Sequence, residues 1–189
     1  MDATDTELMS RLVSGEDLAL NELMSRWSAR VTAFLQRMTG QREAALDLAQ
    51  ETFVKLYQAR SRYKPQGNFS TYLFAIAANL ARNHSRWKSR HPTVSLDAAD
   101  ADGTILMPEP EATDLSPGDA AVSHEQAAAV ERAVLALPLD LREALTLFVH
   151  EQLSYAEIAG LTRCSPKAVE TRIYRARQIL KEQLKGLRA

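Results

Sequence analysis

Lys167, Glu170, Thr171 and Tyr174 recur at helical spacing and share one face, and each carries a group able to hydrogen-bond to the edge of a nucleic-acid base. Arg163, Arg172, Arg175 and Arg177 flank them, as phosphate-contacting residues would. From Arg163 to Arg188 there are eight basic residues, and Glu170 and Glu182 are the only acids. A run of charge by itself reads as a solvated helix face. What changes the reading is the frame around it. Ser154 followed by Glu157 is a capping-box pair, Gly160 is expected to end the first helix in a left-handed turn, and Ser165–Pro166 is a cap followed by a first-position proline. Val169, Ile173, Ala176 and Leu180 form an apolar stripe on the second helix. A short helix, a tight turn and a basic second helix make a helix-turn-helix, whose second helix enters the major groove.

Two further surfaces lie in the first half. On a helix expected over 42–61, Asp47, Gln50, Glu51 and Val54 form one stripe, with Leu46, Ala49, Phe53 and Leu56 expected to pack inward. An acidic and amide stripe on a basic module suits protein docking, although spacing alone favours an ordinary solvated face. On a helix expected from Ser70 or Thr71 to about Arg90, Leu73, Ile76, Ala77 and Leu80 face the core. Asn79, Arg82, Asn83 and Arg86 make a polar stripe, with Trp87 among Arg82, Arg86, Lys88 and Arg90. Cations around an aromatic ring suit unpaired nucleic acid, where bases stack and phosphates meet Arg. Core packing is an equal reading for Trp87. The preceding loop and helix start, with Lys64, Asn68, Ser70 and Thr71, offer polar groups that could hold an unstacked base.

The elements that position these residues are helical throughout; no strand alternation appears, so the fold class is all-α. The 189 residues carry a net charge of −1, which hides a segregation. Residues 1–90 hold thirteen basic and nine acidic residues, 92–123 hold seven acidic and no basic ones, and 124–189 hold ten basic and eight acidic ones. Two positive helical domains, 1–91 and 124–189, are therefore expected, joined by a flexible acidic linker over 92–123, which has four prolines and two glycines. The first domain opens with helix over 5–38, broken near Gly15 and ended by Gly40; in the second, helices are expected over about 124–136, 139–151, 154–160 and 166–186.

Catalysis finds little support. His84, His91, His124 and His150 have no metal-ligand spacing, Cys164 has no nearby His, and no glycine-rich phosphate loop is present. The chain is read as a non-enzyme with no cofactor and no metal. No apolar run is long enough to span a bilayer and no secretory leader is evident, so a cytoplasmic protein is expected.

In three stretches the chain resembles the extracytoplasmic-function (ECF, group 4) sigma factors of bacterial RNA polymerase. Asp47-Leu48-Ala49-Gln50-Glu51-Thr52-Phe53 is similar to their core-polymerase-binding helix. Phe69 through Ala81 is similar to their promoter-melting helix, and Leu137-Pro138 through Arg177 to sigma region 4. The resemblance implies that Asp47, Gln50, Glu51 and Val54 meet core RNA polymerase. It implies that Asn79, Arg82, Asn83, Arg86 and Trp87 lie at the −10 element, with the loop from Lys64 through Asn68 to Ser70 and Thr71 holding a flipped base. Lys167, Glu170, Thr171 and Tyr174 would read the −35 element, with Arg163, Arg172 and Arg175 on phosphates. It further implies an anti-sigma factor as partner and a linker passing near the polymerase active site. The chain departs from the family at Glu170, where a basic residue is common, and at Glu151-Gln152, where a glycine is frequent. A carboxylate accepts from cytosine N4, so promoter preference does not transfer. The competing reading is a helix-turn-helix regulator with a helical N-terminal sensing domain.

Overall fold

The computed structural model describes residues 3–64, 67–91 and 117–185, with the side chains of 117–124 left aside. The elements are α1 (Asp5–Val13), α2 (Leu18–Thr39), α3 (Arg42–Gln58), a single 3-10 turn (Arg60–Arg62), α4 (Phe69–Arg90), α5 (Pro117–Leu135), α6 (Leu139–Val149), α7 (Tyr155–Thr162) and α8 (Pro166–Gln183). No strand occurs among the described residues. The chain divides into two compact units, Met1–Gly103 and Thr104–Ala189.

In the first unit, α2 packs on α1, α3 and α4, and α3 packs on α4. Thr4 and Glu7 form a capping box that starts α1. Gly40 ends α2 in the left-handed conformation, φ 71°, which costs a residue without Cβ little. The core is an aromatic cluster lined with aliphatics. Trp27 meets Phe69 and Phe74 edge to face at 5.7 and 6.1 Å, and Phe34 meets Phe74 at 5.3 Å. Trp27 Nε1–H donates to Asp5 Oδ2 at 3.1 Å, so the indole is buried without an orphaned donor. Arg26 ties the start of α1 to α2 through Asp5 at 3.2 Å and the Ala3 carbonyl at 2.6 Å.

In the second unit, α8 packs on α5, α6 and α7. Arg142 Nη2 donates to the carbonyls of Leu135 and Leu137 at 2.5 and 3.0 Å, closing the end of α5; burial pushes its guanidinium below the usual value. Val169, Ile173 and Ala176 are buried as the stripe requires, and Leu180 is half-buried.

Four expectations are corrected. α3 ends at Gln58 and continues only as the 3-10 turn rather than as helix to 61. Within it, Leu46 points outward, 43% exposed, because the buried stripe runs through Ala45, Leu48, Ala49, Thr52, Phe53 and Leu56 and leaves Leu46 just past its edge. α5 begins at Pro117, well before 124, with proline at the first helical position, where no N–H is required. The acidic linker expected over 92–123 therefore yields 117–123 to helix, and its remainder, 92–116, lies outside the described residues. Gly160 does not end α7. The helix runs to Thr162, and Arg163 takes the left-handed turn, φ 54°, while Cys164 N–H donates to the Ala159 carbonyl at 3.0 Å in the wide closing bond of a Schellman-type end. Phe74, absent from the expected core, is fully buried.

Candidate nucleic-acid interface

The helix-turn-helix is built from two caps. Glu157 N–H donates to Ser154 Oγ at 3.3 Å and Ser154 N–H donates to Glu157 Oε2 at 2.9 Å, the reciprocal pair that starts α7. Ser165 Oγ accepts from Ala168 N–H at 3.2 Å and Pro166 follows, which starts α8. Ile158, Ala159 and Leu161 of α7 are buried beside Val169, Ile173 and Ala176 of α8, and this packing holds the second helix with its far side outward.

That outward side carries the expected residues. Lys167, Glu170 and Tyr174 are exposed, the Tyr174 ring to 63%, and Thr171 is half-buried. With Tyr155, Ile173 and Arg177 they line one shallow depression. Three of them already have partners within the helix: Lys167 Nζ lies 2.8 Å from Glu170 Oε2, and Thr171 Oγ1 donates to the Lys167 carbonyl. A hydroxyl bonded back to its own helix, a carboxylate shared with a lysine and an exposed phenol form a mixed donor and acceptor surface suited to base edges. Arg163 and Arg175 are exposed at the two sides. Arg177 lies over the Phe148 ring at 5.5 Å, and Phe148 abuts Tyr155. Arg172 is placed differently from the others: it reaches Asp140 and Cys164 within the unit.

In the first unit the α4 face opposite the core carries Asn79, Asn83 and Arg86, all exposed, and Arg82, half-buried. Trp87 is 53% exposed, and its only described ring neighbour is His91, stacked at 5.1 Å. The equal choice for this ring between core and surface thus resolves to surface. Every buried residue of α4 lies between Phe69 and Ala81, so the last turns of the helix bury no side chain of their own. Lys64 and Asn68 are exposed, and Ser70 and Thr71 are half-buried at the first turn of α4. Tyr72, one residue beyond Thr71 at the start of α4, shares this face and meets Tyr63 at 5.0 Å. Burial raises both phenols above their ordinary value. Tyr72 lies at helical spacing from Asn79, a signal available in the sequence.

On α3, Asp47, Gln50, Glu51 and Val54 are all exposed, with Glu51 3.3 Å from Lys55 Nζ. The outward Leu46 joins Gln50 and Val54 in one row at four-residue steps, beside the Asp47–Glu51 row. A row of two apolar side chains and an amide, edged by carboxylates, offers a protein partner buried area together with charge. Among the described residues no group of His, Cys, Asp and Glu could hold a metal ion, and no helix is long and apolar enough to cross a membrane.

Comparison with known proteins matches the two units in order. The family model described as Sigma-70 region 2 matches residues 23–91, and that described as Sigma-70, region 4 matches residues 127–180. The chain is 33% identical over 184 residues to the RNA polymerase sigma-H factor of Pseudomonas aeruginosa, covering 97% of this chain and 95% of that one. It is 31% identical to the ECF RNA polymerase sigma-E factor of Haemophilus influenzae, covering 97% of each. Among solved structures, CnrH in complex with the cytosolic domain of CnrY shares the fold, with TM-score 0.70, 24% identity and 96% and 97% of the two chains covered. So does the sigma factor RpoE in complex with the anti-sigma factor NepR from Bartonella quintana, with TM-score 0.68, 23% identity and 87% and 96% covered.

Proposed function

This chain belongs to the ECF sigma factors of the sigma-70 family, and from that premise we propose how its surfaces divide the work of promoter recognition. It is a transcription initiation factor that associates with core RNA polymerase and directs it to promoter DNA. The observation that carries this is the presence, in order in one chain, of matches to sigma regions 2 and 4 with near full-length likeness to named sigma factors.

In our reading the α3 stripe of Asp47, Gln50, Glu51 and Val54, widened by Leu46, docks on core polymerase. Supporting it are the exposure of all five residues and the mixed apolar and acidic character of the surface. The α4 face of Asn79, Arg82, Asn83, Arg86 and Trp87 takes the −10 element, with Lys64, Asn68, Ser70 and Thr71 around an unstacked base. An exposed indole flanked by guanidinium groups is the chemistry that single strands require. The outward face of α8 reads the −35 element. A first domain over 1–91 and a second that reaches back through α5 to Pro117, with an acidic tether between, belong to the same proposal, as do a cytoplasmic location and the absence of catalytic activity of its own. The anti-sigma partner rests on the RpoE–NepR complex, whose sigma factor has this fold. A helix-turn-helix regulator with a sensing domain is not favoured, since the first unit matches sigma region 2.

Run-off transcription by core polymerase with this chain, on a library of promoter fragments, tests the proposal. Start-site choice conferred by the chain is expected, and D47K/E51K is expected to weaken its retention on core polymerase in a pull-down. Transcription indifferent to the chain would refute the function, and full retention of the double variant would remove α3 from the contact.

A further inference from the structure

Arg172 looks in the sequence like one more phosphate contact on a basic helix. The structure gives its guanidinium other partners. Nε lies 3.4 Å from Asp140 Oδ2, in the first turn of α6, and Nη1 lies 3.6 Å from Cys164 Sγ, in the turn between α7 and α8. The sulfur is itself 3.1 Å from Thr162 Oγ1, whose hydroxyl is in reach of the Ile158 carbonyl at 2.7 Å, near the end of α7. One planar fork on α8 therefore touches α6 on one side and the turn on the other. Its side chain is 28% exposed, whereas that of Lys167 on the outward face is 80% exposed.

We propose that Arg172 is a positioning residue for −35 reading: anchored by Asp140 and seated against Cys164, it sets the tilt of α8 relative to α6 and the turn, and does not neutralise a phosphate. Three physical points carry this. A guanidinium is a rigid planar fork whose separate nitrogens point in fixed directions, a geometry that the compact ammonium of a lysine does not reproduce. Asp140 sits where the α6 dipole favours a carboxylate, so the anion that holds Arg172 is itself held. A phosphate drawn to the rest of the fork would come beside the Asp140 carboxylate, whose like charge opposes it. The inference rests on the second unit reading the −35 element. It assigns phosphate neutralisation on that unit to Arg163, Arg175 and Arg177. Because phosphate contacts position while base contacts specify, a change in helix tilt degrades discrimination among sequences more than it degrades charge-driven binding.

The test uses holoenzyme assembled from core polymerase and the full chain, with promoter fragments selected by the wild-type holoenzyme from a randomised −35 library and the same fragments with that element scrambled. R172A, D140A and the double variant are compared with R175A over a series of salt concentrations. R172A and D140A are each expected to lower the preference for selected over scrambled DNA about threefold to fivefold, the worth of a partly exposed ion pair. The double variant should lose no more than either single one. The slope of log affinity against log salt should be unchanged in R172A and D140A but shallower by about 0.9 in R175A. R172K should behave like R172A. A slope reduced in R172A as in R175A, a D140A variant with unaltered preference, or additive losses would each overturn the inference alone. A wild-type holoenzyme indifferent to the −35 sequence would overturn the underlying reading as well. Asp140, the more exposed partner, supplies a variant that leaves the buried packing in place, and thermal melting checks both.

Discussion

The two tryptophans offer a sharp separation of folding from function. Trp27 is 8% exposed, packed against two phenylalanines and hydrogen-bonded to Asp5; Trp87 is 53% exposed and stacked only on His91 among the described residues. A covered aromatic side chain removes about 150–250 Å² from water, at about 25 cal/mol per Å². For Trp27→Ala, nearly all of that area is lost, a cavity opens and Asp5 loses its donor, so the cost is about 3–5 kcal/mol. For Trp87→Ala only the covered half counts, about 2–3 kcal/mol as an upper bound. Alanine's better helix propensity returns about 0.5 kcal/mol, leaving at most about 1.5–2.5 kcal/mol. In a unit of this size each kcal/mol moves the melting temperature by about 4–8 °C, so thermal unfolding followed by circular dichroism separates the variants. Function should rank them the other way. A base stacked on an aromatic ring is worth about 1–3 kcal/mol, so folded Trp87→Ala is expected to form open complexes about five- to 150-fold less well. Permanganate reactivity of unpaired thymines at the −10 element, measured below the melting temperature, reads this directly, and Trp87→Phe should retain most of it. Equal destabilisation by the two alanine variants, or wild-type promoter opening by Trp87→Ala, would refute the reasoning.

Other outcomes follow from single residues. Glu170→Arg should change the preferred −35 sequence, scored by selection from a randomised element, because a donor replaces an acceptor on the reading face. Gly160 sits inside α7 with open space where a Cβ would stand, so Gly160→Ala should stabilise the second unit by about 1 kcal/mol. Arg163→Gly should gain about 1 kcal/mol by relieving its left-handed backbone, both read by thermal melting. Hydrogen bonds from the Thr4 backbone and hydroxyl hold the Glu7 carboxyl below its usual range, and the Arg11 guanidinium does the same for Glu16. A depressed carboxylate stabilises above its unfolded pKa and loses that contribution as pH falls through the folded value. The first unit should therefore weaken in the acid carboxylate range, and Glu7→Gln with Glu16→Gln should flatten that limb of the pH–stability curve.

Much of this molecule is legible within a few residues of chain. The Ser154–Glu157 box, the Ser165–Pro166 start, the Gly40 stop and the α8 apolar stripe are set by neighbours within one or two helical turns, and the structure has them where local spacing puts them. The family's motifs lie in the same short windows. Other features depend on segments distant in sequence. Trp27 is covered because Phe69 and Phe74 of α4 reach it, and Trp87 is exposed on the last turns of α4, beyond Ala81, the last residue that the helix buries. Leu46 misses the buried stripe by the width of one side chain, an amount that periodicity cannot resolve without the packing partner. Gly160 looked like the stop for α7, yet the helix continues until Arg163 turns, since Leu161 gains burial in the unit's interior. Arg172 was one of several equivalent arginines until Asp140, far away in sequence, came within 3.4 Å. Patterns repeating every three or four residues declare which helices form and which face is apolar; which side chains on the edge of that face are covered, paired or left to a partner is decided by what the tertiary fold brings against them.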